Sequence, residues 1–181
     1  MTDPPDRQHA TRPIAPEDPA CGFRCGKHAL DDYFARHALR NDQAGIGRAY
    51  VLPATPEDVT HGLPSVLGFY TLSMALVASA DIAAMLRKSL PKYPMPVALI
   101  GRLAVDERAR GRRLGEHLLI DALARVVGAA DVIGCLGIMV DAKDDEAERF
   151  YAKYDFVTVA AATWPHRMFL PIEVARLAIT T

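Results

Sequence analysis

The chain has 181 residues, of which 50% are apolar and 24% charged, with a formal net charge of −1. That length suits one domain burying roughly two thirds of its unfolded surface, and the near-zero charge excludes a global basic field. Contact with nucleic acid or phosphate must then come from local clusters. Three cysteines, Cys21, Cys25 and Cys135, are too few and too odd in number for a disulfide framework. With no apolar signal core and no membrane-length apolar run, a soluble cytoplasmic protein is expected.

Residues 1–13 are polar and proline-rich, which predicts a flexible lead-in ahead of a single domain over 14–181. From Gly26, Leu30, Tyr33, Phe34, His37 and Ala38 recur at steps of three and four, predicting one amphipathic helix that ends near Ala44-Gly45. Arg48 to Leu52 predicts a strand stopped by Pro53, with a turn-rich hairpin loop over Thr55 to Pro64. Ser65 to Ala78 predicts a long strand bent near Ser73, and Asp81 to Leu90 a short helix. Val97 to Val105 and Leu136 to Val140 are apolar strands around a helix from Leu114 to Val127. A helix over Asp144 to Tyr154 and a strand pair, Phe156 to Val159 with Arg167 to Pro171, complete the chain. Alternating strands and helices in this half predict an α/β (α+β) fold, a mixed sheet covered by helices.

The most specific segment is Gly101-Arg102-Leu103-Ala104-Val105-Asp106-Glu107-Arg108-Ala109-Arg110-Gly111-Arg112-Arg113-Leu114-Gly115. A strand ends, a basic loop containing glycine follows, and a helix begins. Backbone N–H groups at such a helix start converge on one point, which suits a pyrophosphate. Gly111 lets the backbone approach closely, and Arg110, Arg112 and Arg113 supply charge for further oxygens. A basic loop capping a surface helix would carry the same residues. The Gly-Lys-Ser/Thr ending of a P-loop is missing, as is a G-x-G-x-x-G pattern.

This stretch resembles motif A of the GNAT superfamily, in which an Arg/Gln-x-x-Gly-x-Gly/Ala loop binds the pyrophosphate of coenzyme A. Arg108 and Gly111 match, while Arg113 stands where a small residue is usual and Gly115 restores the common ending. The resemblance implies a GNAT fold of about six or seven strands and about four helices, with acetyl-CoA as cosubstrate. It also implies that backbone groups of Leu103, Ala104 and Val105 hold the pantetheine arm, with the loop from Arg110 through Leu114 to Gly115 on the diphosphate. Downstream, Asp144 to Phe156 resembles motif B, which makes Tyr151 the residue beside the acetyl-CoA sulfur. Asp155 replaces the usual glycine there, and Tyr154 is the rival phenol.

Four further pieces, LDDYF…RNDQAGIGRAYVL, GFYTLSMALV, LPKYPMPVALIGRLAVD and VDAKDDEAERFY, are similar to the toxin acetyltransferases of bacterial toxin–antitoxin pairs. That similarity implies acetylation of the α-amino group of aminoacyl-tRNA and arrest of translation. A ribbon-helix-helix antitoxin and a homodimer are also implied. An enzyme of the same fold acting on a small-molecule or protein amine remains the alternative, and a non-catalytic acyl-CoA-binding module a third reading.

In this chemistry an uncharged amine attacks a thioester carbonyl. A backbone N–H near Ala104 or Val105 can hold the oxyanion, and the Tyr151 phenol can protonate the leaving thiolate. For tRNA the available cations are Arg36, Arg40, Arg48, Arg87, Lys88 and Lys92, each of which also fits an ordinary solvated face. Cys21, Cys25 and His28 lack an evident fourth ligand for zinc, and no metal is expected. Cys135 is expected in the core, and His117 on the surface or in packing. Asp144 and Asp145, with Asp141 at a strand end, read as a helix N-cap rather than a metal site.

Overall fold

The computed structural model describes residues 10–160 and 164–180. Its strands are β1 (Arg12–Pro13), β2 (Arg48–Pro53), β3 (Val66–Val77), β4 (Met95–Val105), β5 (Gly137–Ala142), β6 (Val157–Ala160) and β7 (His166–Pro171). They form a seven-stranded sheet in the order β1-β2-β3-β4-β5-β7-β6. The sheet is mixed: β4 pairs in parallel with β5 over Ala98–Ile100 against Ile138–Val140, whereas β2–β3, β5–β7 and β6–β7 are antiparallel. The helices are α1 (His28–Tyr33), α2 (Leu39–Gln43), α3 (Pro56–Thr60), α4 (Ser79–Leu86), α5 (Leu114–Ala130), α6 (Asp145–Ala152) and α7 (Ile172–Thr180). The α/β expectation holds.

One compact unit takes the residues up to Leu72 together with Arg102–Asp121. Its core stacks aromatic side chains from three segments. Phe34 lies 4.9 Å from Phe23 and 4.8 Å from Phe69, ring centre to ring centre, and Val51 and Ala104 close the cluster. Burying each such ring contributes about 2 kcal/mol. Gly68 on β3 has no room for a side chain. A Cβ there would sit 2.8 Å from Leu118 Cδ1 and 2.9 Å from the Ala104 carbonyl oxygen.

Arg12 and Pro13, expected in the lead-in, lie in a strand. Residues 1–9 lie outside the described residues, but Arg12 and Pro13 pair with Val51 and Tyr50 of β2. Two side-chain contacts hold this end: Thr11 Oγ1 donates to Asp121 at 2.6 Å, and Arg12 pairs with the buried Asp18 at 2.7 Å. The single helix expected from Gly26 to Ala44 is instead α1 and α2 joined by a π-helical turn, Phe34–Ala38. Its wider i→i+5 step shifts Arg40 out of the simple four-residue phase with Arg36.

The other unit comprises Ser73–Gly101 and the residues from Ala122 onward. Its apolar cluster gathers Val77, Ile82, Met95, Val97, Met139 and Phe169. Helix α4 ends earlier than expected because Arg87 takes a left-handed φ of 49°. Helix α7, which the sequence reading did not identify, follows β7 directly, and its Arg176 pairs with Asp131 at 2.6 Å. Helix α3 replaces part of the expected hairpin loop, capped reciprocally by Thr55 and Asp58. Among the described residues no helix is long and apolar enough to cross a membrane.

Candidate active site

The end of β4 leads into the loop through a buried carboxylate. Asp106 is fully enclosed and accepts hydrogen bonds from the Arg24 amide at 2.9 Å and the Arg108 amide at 3.0 Å. It also accepts from Arg108 Nε and a terminal guanidinium nitrogen, both at 2.8 Å. Burial opposes its ionisation, yet these donors win and hold its carboxyl below the ordinary value. Arg108 donates further to the Gly22 carbonyl at 2.8 Å. The arginine that matches motif A therefore braces the strand-to-loop transition from a partly exposed position.

Beyond it, Arg110 donates to the Cys25 carbonyl at 2.7 Å, Arg112 meets Asp58 Oδ1 at 2.8 Å, and Arg113 reaches Glu116 at 2.6 and 2.8 Å. Each guanidinium expected to serve phosphate already has a protein partner. The backbone is different. Gly111 at φ 81° and Arg113 at φ 57° are both left-handed, a conformation that costs an ordinary residue roughly 1–2 kcal/mol. Arg113 thus adopts the conformation for which a small residue would be chosen. The fork from Arg113 to Glu116 lies across the first turn of α5, and the helix's first internal bond runs from the His117 amide to the Arg113 carbonyl at 3.1 Å. Amides ahead of that bond, through Leu114 and Gly115, stand at the positive end of a 17-residue helix. These backbone groups fit a diphosphate. Of the strand residues, Ala104 is buried in the aromatic core, and Leu103 and Val105 are partly exposed.

In the other unit, α6 carries Tyr151. Asp144 caps this helix by accepting from the Ala147 amide at 2.8 Å, as its position before the acidic turn suggested. Tyr151 is 8% exposed, with Phe150 at 5.2 Å and Phe156 at 5.4 Å between ring centres. Burial pushes its phenol well above the ordinary value, so it stays protonated at neutral pH. Asp155, standing where the family has glycine, takes φ 65° and preserves the turn into β6. Tyr154 is partly exposed on the turn, 5.3 Å from Phe150.

Two groups escaped the sequence reading. Asp58 was hidden in a presumed loop. Glu148, Trp164 and His166 form a cluster in which Glu148 accepts from Thr158 at 3.2 Å and meets His166 Nδ1 at 3.0 Å. The two-residue spacing of Trp164 and His166 entering a strand was the available signal.

The six cations proposed for tRNA divide between the units. Arg36 pairs with Asp32 at 2.9 Å, and Arg48 lies 3.7 Å from the Asp42 carboxylate, while Arg40 is exposed on α2. Arg87, Lys88 and Lys92 are exposed around the end of α4. All described cysteines are free thiols, and burial raises Cys25 to about 11, which makes it unreactive. No group of metal-ligating side chains occurs among the described residues.

A mixed sheet whose fourth strand feeds a left-handed loop and a helix start is the architecture of an acetyltransferase (GNAT) domain, and the model of that family matches residues 75–164. The tRNA-acetylating toxin of Mycobacterium tuberculosis is 41% identical over 170 residues, which span 94% of this chain and 96% of that protein. The probable toxin TacT of Sinorhizobium fredii is 32% identical over 179 residues, 92% of this chain and 94% of that one. Among solved structures, the toxin AtaT complexed with acetyl-methionyl-tRNAfMet gives a TM-score of 0.78 at 27% identity, covering 94% and 98% of the two chains. A tyrosine-to-phenylalanine variant of AtaT, bound to the C-terminus of the antitoxin AtaR and acetyl-CoA, gives 0.77 at 25% identity over 96% and 99%. The chain belongs to the GNAT acetyltransferases, in the group of the tRNA-acetylating toxins.

Proposed function

We propose that this protein is a toxin that transfers the acetyl group of acetyl-CoA to the α-amino group of aminoacyl-tRNA and so stops translation. The observation that carries this reading is the 41% identity to a tRNA-acetylating toxin across nearly the whole of both chains. The same reading takes in a ribbon-helix-helix antitoxin as partner, a homodimer, a cytoplasmic location and one catalytic domain over residues 14–181. AtaT bound to AtaR and AtaT with acetyl-methionyl-tRNAfMet support the partner and substrate classes.

Acetyl-CoA, as substrate, supplies an acyl group activated as a thioester. The amides from Arg110 to Gly115 hold its diphosphate, and the Leu103–Val105 backbone orients the arm. An N–H of Ala104 or Val105 faces the carbonyl oxygen as charge develops there. The amine nitrogen forms a bond to the acetyl carbon, the carbon–sulfur bond breaks, and the Tyr151 phenol donates its proton to the departing sulfur. An α-amino group titrates near 8, so part of the amine is already uncharged; after attack its surplus proton passes to water, and a proton from solvent restores the Tyr151 phenol. The Arg36, Arg40, Arg48, Arg87, Lys88 and Lys92 side chains attract tRNA phosphates, an attraction that weakens with salt.

The test is to incubate the protein with labelled acetyl-CoA and total charged tRNA. Label at the aminoacyl end is expected, together with growth arrest on expression that a small neighbouring antitoxin gene relieves. Label that never reaches aminoacyl-tRNA but appears on a small amine or protein would replace this function with the alternative acetyltransferase reading.

A further inference from the structure

Trp164 is the only tryptophan of the chain and is 52% exposed. Its ring lies flat against His166, with centres 3.8 Å apart and planes within 7°. One face of the indole is therefore covered by the imidazole, while about half of the residue stays exposed. The support is rigid. His166 is held through Nδ1 by Glu148 Oε2 at 3.0 Å, and Glu148 Oε1 takes the Thr158 hydroxyl at 3.2 Å. Strand β7, strand β6 and helix α6 thus all brace one aromatic surface.

Position gives this surface a purpose. Glu148 precedes Tyr151 by three residues on α6, just under one turn and about 4.5 Å along the axis. The brace is therefore built into the helix that carries the proposed proton donor. Exposed cations flank it in sequence: Lys143 before α6, and Arg149 and Lys153 four apart on its solvent side. An exposed flat ring stacked on a braced imidazole, with exposed cations along the helix that supplies the brace, is the chemistry that receives an unpaired nucleobase and its phosphates.

We propose that Trp164, backed by His166 and held by Glu148, is a stacking platform for an unpaired base at the 3′ end of the tRNA. The inference rests on the tRNA-acetylating reading above and adds a positioning site to it. Stacking on this platform fixes the single-stranded end that carries the amine. The amino acid is thereby presented without sequence-specific contacts, because every base has a π-face.

Because no other tryptophan is present, indole fluorescence reports this site alone. The full-length protein is titrated with uncharged tRNA and with the same tRNA lacking its unpaired 3′ nucleotides, tRNA retention being followed separately by filter binding. Saturable quenching by intact tRNA is expected, with little or none from the truncated form. Trp164→Ala should raise KM for aminoacyl-tRNA about tenfold, with KM for acetyl-CoA unchanged, and Trp164→Phe should recover most of the loss. Intact tRNA that binds without altering the fluorescence, equal quenching by truncated tRNA, or an unchanged tRNA KM in Trp164→Ala would each overturn the platform. Those results leave acetyl transfer to tRNA standing. Absence of transfer from the parent protein, with quenching intact, removes the enzymatic reading instead.

Discussion

The guanidinium of Arg112 lies 2.8 Å from Asp58 Oδ1 and ties the loop ahead of α5 to the capped first turn of α3. Burial works against the charge on Asp58, but the Thr55 amide, Arg112 and the Thr55 hydroxyl overcome it and hold the carboxyl at about 2 against an ordinary 3.8. A depressed carboxyl stabilises the fold above its unfolded value. That contribution fades as pH falls from 3.8 toward about 2. Asp58→Asn should therefore unfold more easily at pH 7, by about 1–3 kcal/mol, in urea titrations. The gap to the parent protein should shrink between pH 4 and pH 2. A gap independent of pH would mean that the carboxylate's charge is not what holds the turn.

The segments carrying the proposed chemistry were more legible in the sequence than their supports. Gly111 and the loop were visible because backbone conformation and a helix start depend on local residues, and Tyr151 only through the resemblance of its helix to motif B. Asp58 was not, since a five-residue helix between two strands has too little period to register. The same holds for the π turn at Phe34–Ala38, where packing on Phe69 overrides the α step that the apolar spacing implies. Arg108 was assigned to motif A by spacing alone. Only the folded chain shows that its partner is Asp106, two residues back and buried.

Tyr151 tests the chemistry with little disturbance to the core. Removing one hydroxyl leaves the ring contacts to Phe150 and Phe156 in place. Tyr151→Phe should lower kcat by about 10²–10⁴-fold, the usual worth of a positioned acid. Acetyl-CoA affinity by calorimetry should stay within about twofold, since the change removes an interaction made in the transition state. Full turnover in this variant would move the proton donor elsewhere, with Tyr154 the next phenol to examine.

Two glycines separate conformational from steric demand. A Cβ on Gly111 would meet nothing within 4 Å, but the residue is left-handed. Gly111→Ala should therefore cost only about 1 kcal/mol of stability while distorting the loop, raising KM for acetyl-CoA by about tenfold. Gly68 is the opposite case, with its would-be Cβ 2.8 Å from Leu118 and 2.9 Å from a backbone oxygen. Gly68→Ala should lose about 2–3 kcal/mol in urea unfolding, because β3 must move from Ala104. Similar stability losses in both variants would contradict this division.

Arg108 and Asp106 offer the sharpest test of a structural rather than a ligand-binding role. Asp106 is fully buried, and Arg108 supplies two of its side-chain bonds and one from the backbone. Arg108→Ala removes both guanidinium bonds to that carboxylate, leaving only the Arg24 and Arg108 amides, and because the Arg108 side chain is partly exposed it should destabilise the protein by about 1–3 kcal/mol at pH 7. Arg108→Lys should recover only part, since an ammonium cannot reproduce the fork. The carboxyl lies below its ordinary value in the parent protein, so the pair's contribution is complete above that value and lost as pH falls through the depressed one. Replacing both residues, Asp106→Asn with Arg108→Met, should be less damaging than Arg108→Ala alone, because no buried charge is left unpaired. If Arg108→Ala instead unfolds normally and only weakens acetyl-CoA binding, Arg108 holds the cosubstrate rather than the loop.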